Sequence, residues 1–299
     1  MKTKAINTSK IKPVDGRKPI EKLFEGGFFL CACFAVLAVA LISVFIFFRG
    51  VPAITQIGLF NFIFGSTWSP DYNQFGIAPM IVSSLLTGVL SVLVGSVVGV
   101  LAACFMTDIA GTRAKKIMRP AINLLAGIPS VVYGFFGLMV IVPAIRNAFG
   151  GFGLSMLAVI IILAIMILPT VMSITADAIE SVPRRYREGA LALGASKMQV
   201  LFQVVLPAAK KSILGGIVLG MGRAIGETMA VLLVSGNRPF FPTSLTDPVR
   251  TLTGNVALEM SYASGLHLDA LYATGVILFV FIMALNLLLR TLSSKRREQ

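Results

Sequence analysis

Twenty residues, Glu188–Pro207 (EGALALGASKMQVLFQVVLP), decide how the rest of this 299-residue chain is read. They form the longest well-patterned amphipathic run in a sequence otherwise made of apolar stretches. The run carries Glu188, Lys197, Gln199 and Gln203. In its second half Met198, Leu201, Phe202 and Val205 fall at i, i+3, i+4 and i+7, one stripe of a helix. In its first half Tyr186, Ala190 and Leu193 do the same. Gly194 lies between the halves, where a reversing chain favours a residue without a Cβ. Pro207 is expected to end the second half, because it has no amide hydrogen to give a continuing helix. The pattern predicts two short helices with a sharp bend, displayed on a membrane surface as a plug for something else.

The composition around this run fixes the class. The chain is 56% hydrophobic and 13% charged, with a mean hydropathy of +0.88. About a quarter of the residues in ordinary soluble domains are charged. Six apolar runs follow one another: Phe28–Phe48, Ile77–Met106, Pro120–Ile145, Phe152–Ala176, Ile213–Gly236 and Leu268–Leu289. The first holds 21 residues, which at ~1.5 Å per residue cross a ~30 Å hydrocarbon core. It reads as an uncleaved span, since it is long for a signal peptide and no small-residue cleavage site follows. The expectation is an all-α polytopic membrane protein with six transmembrane helices, because backbone exposed to lipid is satisfied within helices. The organisation expected is a basic tail at 1–27, a first span and outer interfacial segment at 28–76, a main transmembrane domain at 77–289 with bent helices at 184–207, and a basic end at 290–299.

Charge sets the expected orientation. Twenty-one of the 26 Lys and Arg residues lie in the two termini and the connections at 113–119 and 184–211. Only Arg49, Arg146, Arg238 and Arg250 fall on the opposite side, and Arg223 lies inside a span. By the positive-inside rule both termini and Glu188–Pro207 are cytoplasmic. The net charge of +13 is thus a topology signal rather than a nucleic-acid footprint. Cys31, Cys33 and Cys104 fall within spans and indicate neither a metal site nor a disulfide framework. The single His267, at the outer end of the last span, reads as an interfacial residue without partners.

Two outer connections are long. In Arg49–Gly76 the stretch VPAITQIGLFNFIFG (51–65) is apolar and uncharged, suited to lying along the interface, and Trp68-Ser69-Pro70 marks a turn. Asn237–His267 is rich in Pro, Thr, Ser and Gly and reads as loop, with a short helix expected near Leu252–Tyr262. These are the surfaces where an external partner could dock.

Within the spans two places stand out. Pro129 in GIPSVVYG (Gly127–Gly134) removes a backbone donor, with Ser130 near the freed carbonyls. This is either a broken helix lining a cavity or a packing kink. In the fifth span Gly216 and Gly220, and again Gly222 and Gly226, are four apart, a spacing that lets helices approach closely. Arg223 and Glu227 are also four apart, so on one continuous helix they share a face and pair. An arginine at mid-membrane costs roughly 2.5–3.5 kcal/mol on insertion scales, so it is shielded between helices or faces water. Either Arg223 offers its charge to a passing anion while Glu227 neutralises it between events, or the two form an inert packing pair.

No lysine follows a glycine, so the chain has no P-loop and supplies no ATP site of that kind. No catalytic triad or metal cluster is assembled, and no cofactor or enzymatic activity is expected. If ATP drives this protein, a separate subunit hydrolyses it.

The Glu188–Pro207 run resembles the EAA loop of ABC-importer permeases. Glu188, Ala190, Gly194, Leu206 and Pro207 match in residue and spacing, while Gly189 replaces an alanine and Val204 an isoleucine. GIPSVVYGFFGL (127–138), ILAIMILPT (162–170), GGIVLGMGRAIGETMAV (215–231), SGLHLDALYATGVILF (264–279) and WSPDYNQFGIAPM (68–80) are similar to the phosphate-importer branch of that family, the PstC permeases, from about Phe60 to Leu289. The resemblance implies a type I ABC-importer permease fold in a bacterial cytoplasmic membrane. It implies a PstA-like partner permease, two PstB-like ATPase subunits and a PstS-like phosphate-binding protein. It also implies that Glu188, Gly189, Ala190, Gly194, Ala195, Leu206 and Pro207 couple to the ATPase, and that Arg223 and Glu227 line or control the substrate path. An ABC permease for another oxyanion or small solute, an ion-gradient transporter and a non-transporting scaffold are the rival readings.

Overall fold

The first apolar run folds as helix α1, Pro19–Ile57, which extends nine residues beyond Phe48. The structure, a computed structural model, describes residues 19–294, without the side chains at 19, 20, 22, 112 and 288–294. The basic residues up to Lys18 and Lys295, Arg296 and Arg297 lie outside the described residues. The chain divides after Phe48 into two units. In the first, the α1 segment is apolar on every side, and Phe28, Phe34, Val39 and Phe48 are all exposed. A helix with no polar face and no buried face suits lipid.

The second unit starts at Arg49. Its first residues pack on the last helix: Gly50 approaches the Tyr272 carbonyl closely, and a Cβ there would lie 2.8 Å from that oxygen. Arg49 Nη2 sits 3.2 Å from Asp269 Oδ1. After the short helix α2 (Leu59–Phe64), strands β1 (Trp68–Ser69) and β2 (Gln74–Phe75) make an antiparallel hairpin. Pro70 starts its turn and Asn73, at φ 54°, closes it, so the expected turn at Trp68-Ser69-Pro70 is present.

Helix α3, Ala78–Cys104, continues through a π-helical turn at Phe105–Ile109. Helix α4 is Thr112–Gly127. The third crossing runs from α5 (Ser130–Phe136) through a π-turn at Gly137–Ile141 into α6 (Val142–Phe149). Helix α7, Met156–Glu180, is the best-buried crossing, and its N-terminus is capped by Ser155, whose Oγ accepts from the Ala158 amide at 3.3 Å. Helix α8 spans Arg184–Ala192. Helix α9 (Lys197–Gln199), a π-helical segment at Val200–Val205 and α10 (Leu206–Gly226) then form one continuous crossing. Helices α11 (Met229–Val234), α12 (Leu252–Glu259) and α13 (Gly265–Ser294) complete the chain. Six helices among the described residues are long and apolar enough to cross a membrane, as expected.

The core is built by α3, α7 and α10, and small residues allow it. A Cβ at Gly95 of α3 would sit 2.8 Å from Ile167, and one at Gly99 3.1 Å from Val171. On α10, Gly216 meets Ile174 and Gly220 meets Val171. Apolar surface gives little drive to association in lipid, so close packing of this kind supplies much of it. The second small pair, Gly222 and Gly226, faces open space instead.

Two span assignments need correction. The expected third span, Pro120–Ile145, is two helices: the chain is extended at Ile128 (ψ 128°) and Pro129 (ψ 140°), and the crossing begins at Ser130. The expected fifth span, Ile213–Gly236, starts earlier, at Lys197, and ends at Gly226. Hydropathy misses both breaks because apolar residues flank them on each side.

Candidate transport and coupling sites

Gly194 takes φ +85°, the left-handed region that side chains with a Cβ adopt at a cost. It terminates α8, with its amide donating to the Leu191 carbonyl and the Ala195 amide to that of Ala190. Ser196 then starts the next helix with a capping box: its Oγ accepts from the Gln199 amide at 3.3 Å, and the Gln199 side chain accepts from the Ser196 amide at 2.8 Å. The bend expected at Gly194 is therefore present. The second short helix is not separate, because Pro207 does not end it. Pro207 lies two residues beyond the π-helical segment Val200–Val205, whose wider turn relieves the clash its ring brings. The turn is thus mounted directly on the crossing α9–α10.

The turn is exposed and anchored. Glu188, Gly189, Gly194 and Pro207 are exposed, Ala190, Ala195 and Leu206 are half-buried, and Leu193 is 91% exposed. Tyr186, Leu191, Met198 and Phe202 add apolar surface around it. Beneath, Ala190, Ala195 and Leu206 pack on Val200, Leu201, Val205, Ile179 and Cys104. Arg187 pins α8 to two crossings: its Nη1 pairs with Asp108 in the π-turn after α3, and its Nη2 donates to the Ile179 carbonyl of α7 at 3.1 Å. Sequence reading missed this role, since Arg187 counted there only as one charge in a basic connection.

Arg223 and Glu227 do not pair, contrary to the helical-face argument. Helix α10 stops at Gly226, and Glu227 is extended at ψ 129°. Its carboxylate turns to cap α11, accepting from the Ala230 amide at 3.1 Å. Arg223, half-buried, directs Nη1 to Thr170 Oγ1 of α7 at 3.5 Å. Arg223 therefore has no neutralising carboxylate partner among the described residues.

The break at Pro129 is a true discontinuity rather than a kink. Ser130 does not bond the freed carbonyls; Tyr133 does, its hydroxyl donating to the Leu125 carbonyl at 2.7 Å across the break. Gly134 lies against Ala230, and Gly137 against Val234. These contacts set α5 and α11 side by side in the same direction, so the breaks at 128–129 and 227–228 lie at about the same depth. Discontinuous helices at one level line cavities in transporters.

At the other end of the spans lies a cluster that no sequence pattern announces. Glu259 of α12, 7% exposed, accepts from Trp68 Nε1 at 2.8 Å and lies 2.5 Å from Arg250 Nη1 and 2.8 Å from His267 Nε2. Arg250 also reaches Asn255 Oδ1 at 3.1 Å and the Asn237 carbonyl at 2.8 Å. His267, expected to lack partners, is a member of this buried cluster. The connection Asn237–His267 is likewise only partly free surface. Helix α12, near the expected position, is buried at Leu252–Asn255, where the Leu252 amide donates to Ser84 Oγ of α3 at 2.9 Å and Thr253 Oγ1 donates to the Glu227 carbonyl at 3.1 Å. A metal-binding group of His, Cys, Asp or Glu is absent among the described residues.

Six apolar crossings among the described residues, helix breaks within the second unit and an anchored bent knob on it are the features of an ABC-importer permease. Residues 95–298 match the family described as "Binding-protein-dependent transport system inner membrane component", and the chain belongs to it. It is 39% identical to the "Probable ABC transporter permease protein YqgH" of Bacillus subtilis, over 89% of each chain. It is 34% identical to the phosphate transport system permease protein PstC of Mesorhizobium japonicum, over 80% of this chain and 79% of that one. With PstC of Haemophilus influenzae it shares 32% identity over 93% and 95% of the two chains. A bacterial ABC transporter involved in import of the acidic polysaccharide alginate has the same fold, with a TM-score of 0.59 at 18% identity over 93% of this chain and all of that one. The relatives are transport permeases rather than enzymes.

Proposed function

We propose that this chain is the membrane subunit of an ATP-driven importer of inorganic phosphate. The observation that carries the reading is the exposed, apolar turn at Gly194, held by Arg187 to the ends of α3 and α7 and continuous with α10. Exposed apolar surface of this kind on a rigid mount suits a protein partner. That partner is a PstB-like ATPase, in two copies, and the second half of the path is a PstA-like permease. The cytoplasmic side is the one bearing the turn and both termini, on the strength of the Lys and Arg bias. A PstS-like binding protein delivers phosphate to the opposite face; the alginate transporter neighbour is likewise described in complex with a periplasmic protein.

Phosphate as substrate is supported by the names of the PstC relatives and by Arg223, a half-buried cation at the level of the helix breaks with no carboxylate partner among the described residues. In the cycle we infer, ATP binding closes the ATPase dimer and displaces the Gly194 turn. Because the turn is rigidly continuous with α10, the displacement moves Arg223 relative to α7 and opens the path alternately to either side. Glu188, on the exposed face of α8, and Gly194 are the points of contact.

The test is purification of the complete complex and phosphate uptake into liposomes. ATP-dependent uptake, with sulfate and molybdate excluded, is the expected result. Uptake of another oxyanion moves the reading to that substrate, and uptake that survives without the ATPase makes the chain a gradient-driven carrier.

A further inference from the structure

A second polar place lies on the same face of α7, nearer the Gly194 end. Thr170, Ser173 and Asp177 fall at i, i+3 and i+7 and share one face of that helix. Thr170 contacts Arg223. Three and seven residues on, ~5 and ~10 Å at ~1.5 Å per residue, Ser173 and Asp177 line a cavity of about 320 Å³ with Arg119 and Asn123 of α4. That volume is equivalent to about ten waters at ~30 Å³ each. The far wall is rigid: Ile122 of α4 packs in a buried cluster with Met106, Met172 and Ala176. Arg119 Nη2 lies 2.8 Å from Glu180 Oε2 and 3.5 Å from Asp177 Oδ1. The Asn123 side-chain carboxamide and the Ser173 hydroxyl make no hydrogen bond to protein among the described residues.

We propose that this cavity is the inner station of the anion path, where Arg119, Asn123 and Ser173 take an oxyanion passed down α7 from Arg223. The proposal rests on the oxyanion-import reading above. The chemistry is that of a weak, transient site. Arg119 is the cation in the cavity lining, and the anion must compete for it with Asp177 and Glu180. When the anion leaves, the carboxylates reclaim the guanidinium. Conduction needs sites favourable enough to enter and weak enough to leave. As a simple brace the Arg119 pair has little to offer, since its side chain is 52% exposed and exposed ion pairs add little to stability.

The experiment uses the assembled complex in nanodiscs, where both faces are open, with Cys31, Cys33 and Cys104 replaced by alanine and a Ser173→Cys substitution. The introduced thiol is titrated with a sulfonate-bearing and a trimethylammonium-bearing methanethiosulfonate. The ratio of the two rates reads the local potential. Arg119→Gln is expected to lower the anionic-to-cationic ratio by about 3- to 10-fold, Arg119→Lys to restore most of it, and Asp177→Asn to raise it. Inorganic phosphate at millimolar concentration should slow the sulfonate reagent, and this protection should vanish in Arg119→Gln. A thiol unreactive to both reagents, or a ratio unmoved by both Arg119→Gln and Asp177→Asn, overturns the proposal. If the ratio follows Arg119 but sulfate rather than phosphate protects, the station stands and the phosphate reading is what fails.

Discussion

Replacing Glu259 by alanine removes the hub of a buried polar cluster. Its carboxylate serves three donors, Trp68, Arg250 and His267, from the β-hairpin, the connection before α12 and the start of α13. Glu259 and Arg250 are only 7% and 11% exposed. Breaking one side of such a pair leaves a buried charge uncompensated, at a cost of ~3–5 kcal/mol. Arg250 keeps its bonds to Asn255 Oδ1 and the Asn237 carbonyl, which favours the lower end of that range. With roughly 2–4 °C per kcal/mol for a chain of this order of size, the apparent Tm in detergent should fall by ~6–15 °C. The informative assay is a double-mutant cycle with Arg250→Ala. The pair removed together should cost less than the two single losses summed, by more than about 1 kcal/mol, because the second substitution removes the orphaned charge. Strictly additive losses, or a Glu259→Ala loss under ~1 kcal/mol, would refute the view that this cluster clasps the hairpin to α12 and α13.

Three further outcomes are expected. Gly95→Leu sets a side chain against Ile167 and the Ala164 carbonyl, where even a Cβ would lie within 2.9 Å; it should separate α3 from α7 and cost at least ~1–3 kcal/mol, read as lost assembly in detergent. Arg223→Gln should abolish substrate uptake while co-purification with the ATPase is retained; normal uptake would make Arg223 a packing residue. Asp247 is held below the ordinary 3.8 chiefly by the Thr243 hydroxyl, then by the Thr243 and Ser244 amides. A depressed folded-state value means that the 243–247 turn gains stability above about pH 4 and loses it as pH falls through the folded value. Hydrogen-exchange protection of the Thr243 and Ser244 amides should fall across that acid window in the wild type and be weak at all pH values in Asp247→Ala.

Much of the architecture was legible in the sequence, for identifiable reasons. A span announces itself by uncharged length, so all six crossings were found. The bend at Gly194 was legible because its neighbours form helical stripes on either side of a residue free to take positive φ. The capping box at Ser196 and Gln199 was also there to be read, and would have shown that the second stripe begins a helix rather than continuing the first. What failed were the helix ends inside apolar runs. The stretch from Gly226 to Val234 has the hydropathy of a continuing span. Its break at Glu227 is held by tertiary contact, with Thr253 bonding the Glu227 carbonyl from 26 residues away. The same break undid the Arg223–Glu227 pairing, which required one unbroken helix. Pro207 misled in the opposite direction, since the π-helical segment before it has no sequence signature. The Glu259 cluster was invisible because its members come from four segments, Trp68 lying 191 residues from Glu259.

In the proposed function this chain conducts but takes its work from another polypeptide through the Gly194 turn. A Cβ at Gly194 meets nothing within 4 Å, so Gly194→Val strains the backbone, by ~1–2 kcal/mol, without a clash inside the chain. Its larger effect should fall on a partner seated on the turn. The most direct measurement records ATP hydrolysis and substrate uptake in the same liposomes for wild type and Gly194→Val, with Glu188→Lys as a second probe of that surface. Both variants should reach the membrane, with uptake below a tenth of wild type (about 1.4 kcal/mol or more in coupling) even where the ATPase still turns over. Uptake at the wild-type level in both variants, or accumulation of substrate by vesicles holding this chain alone, would contradict it.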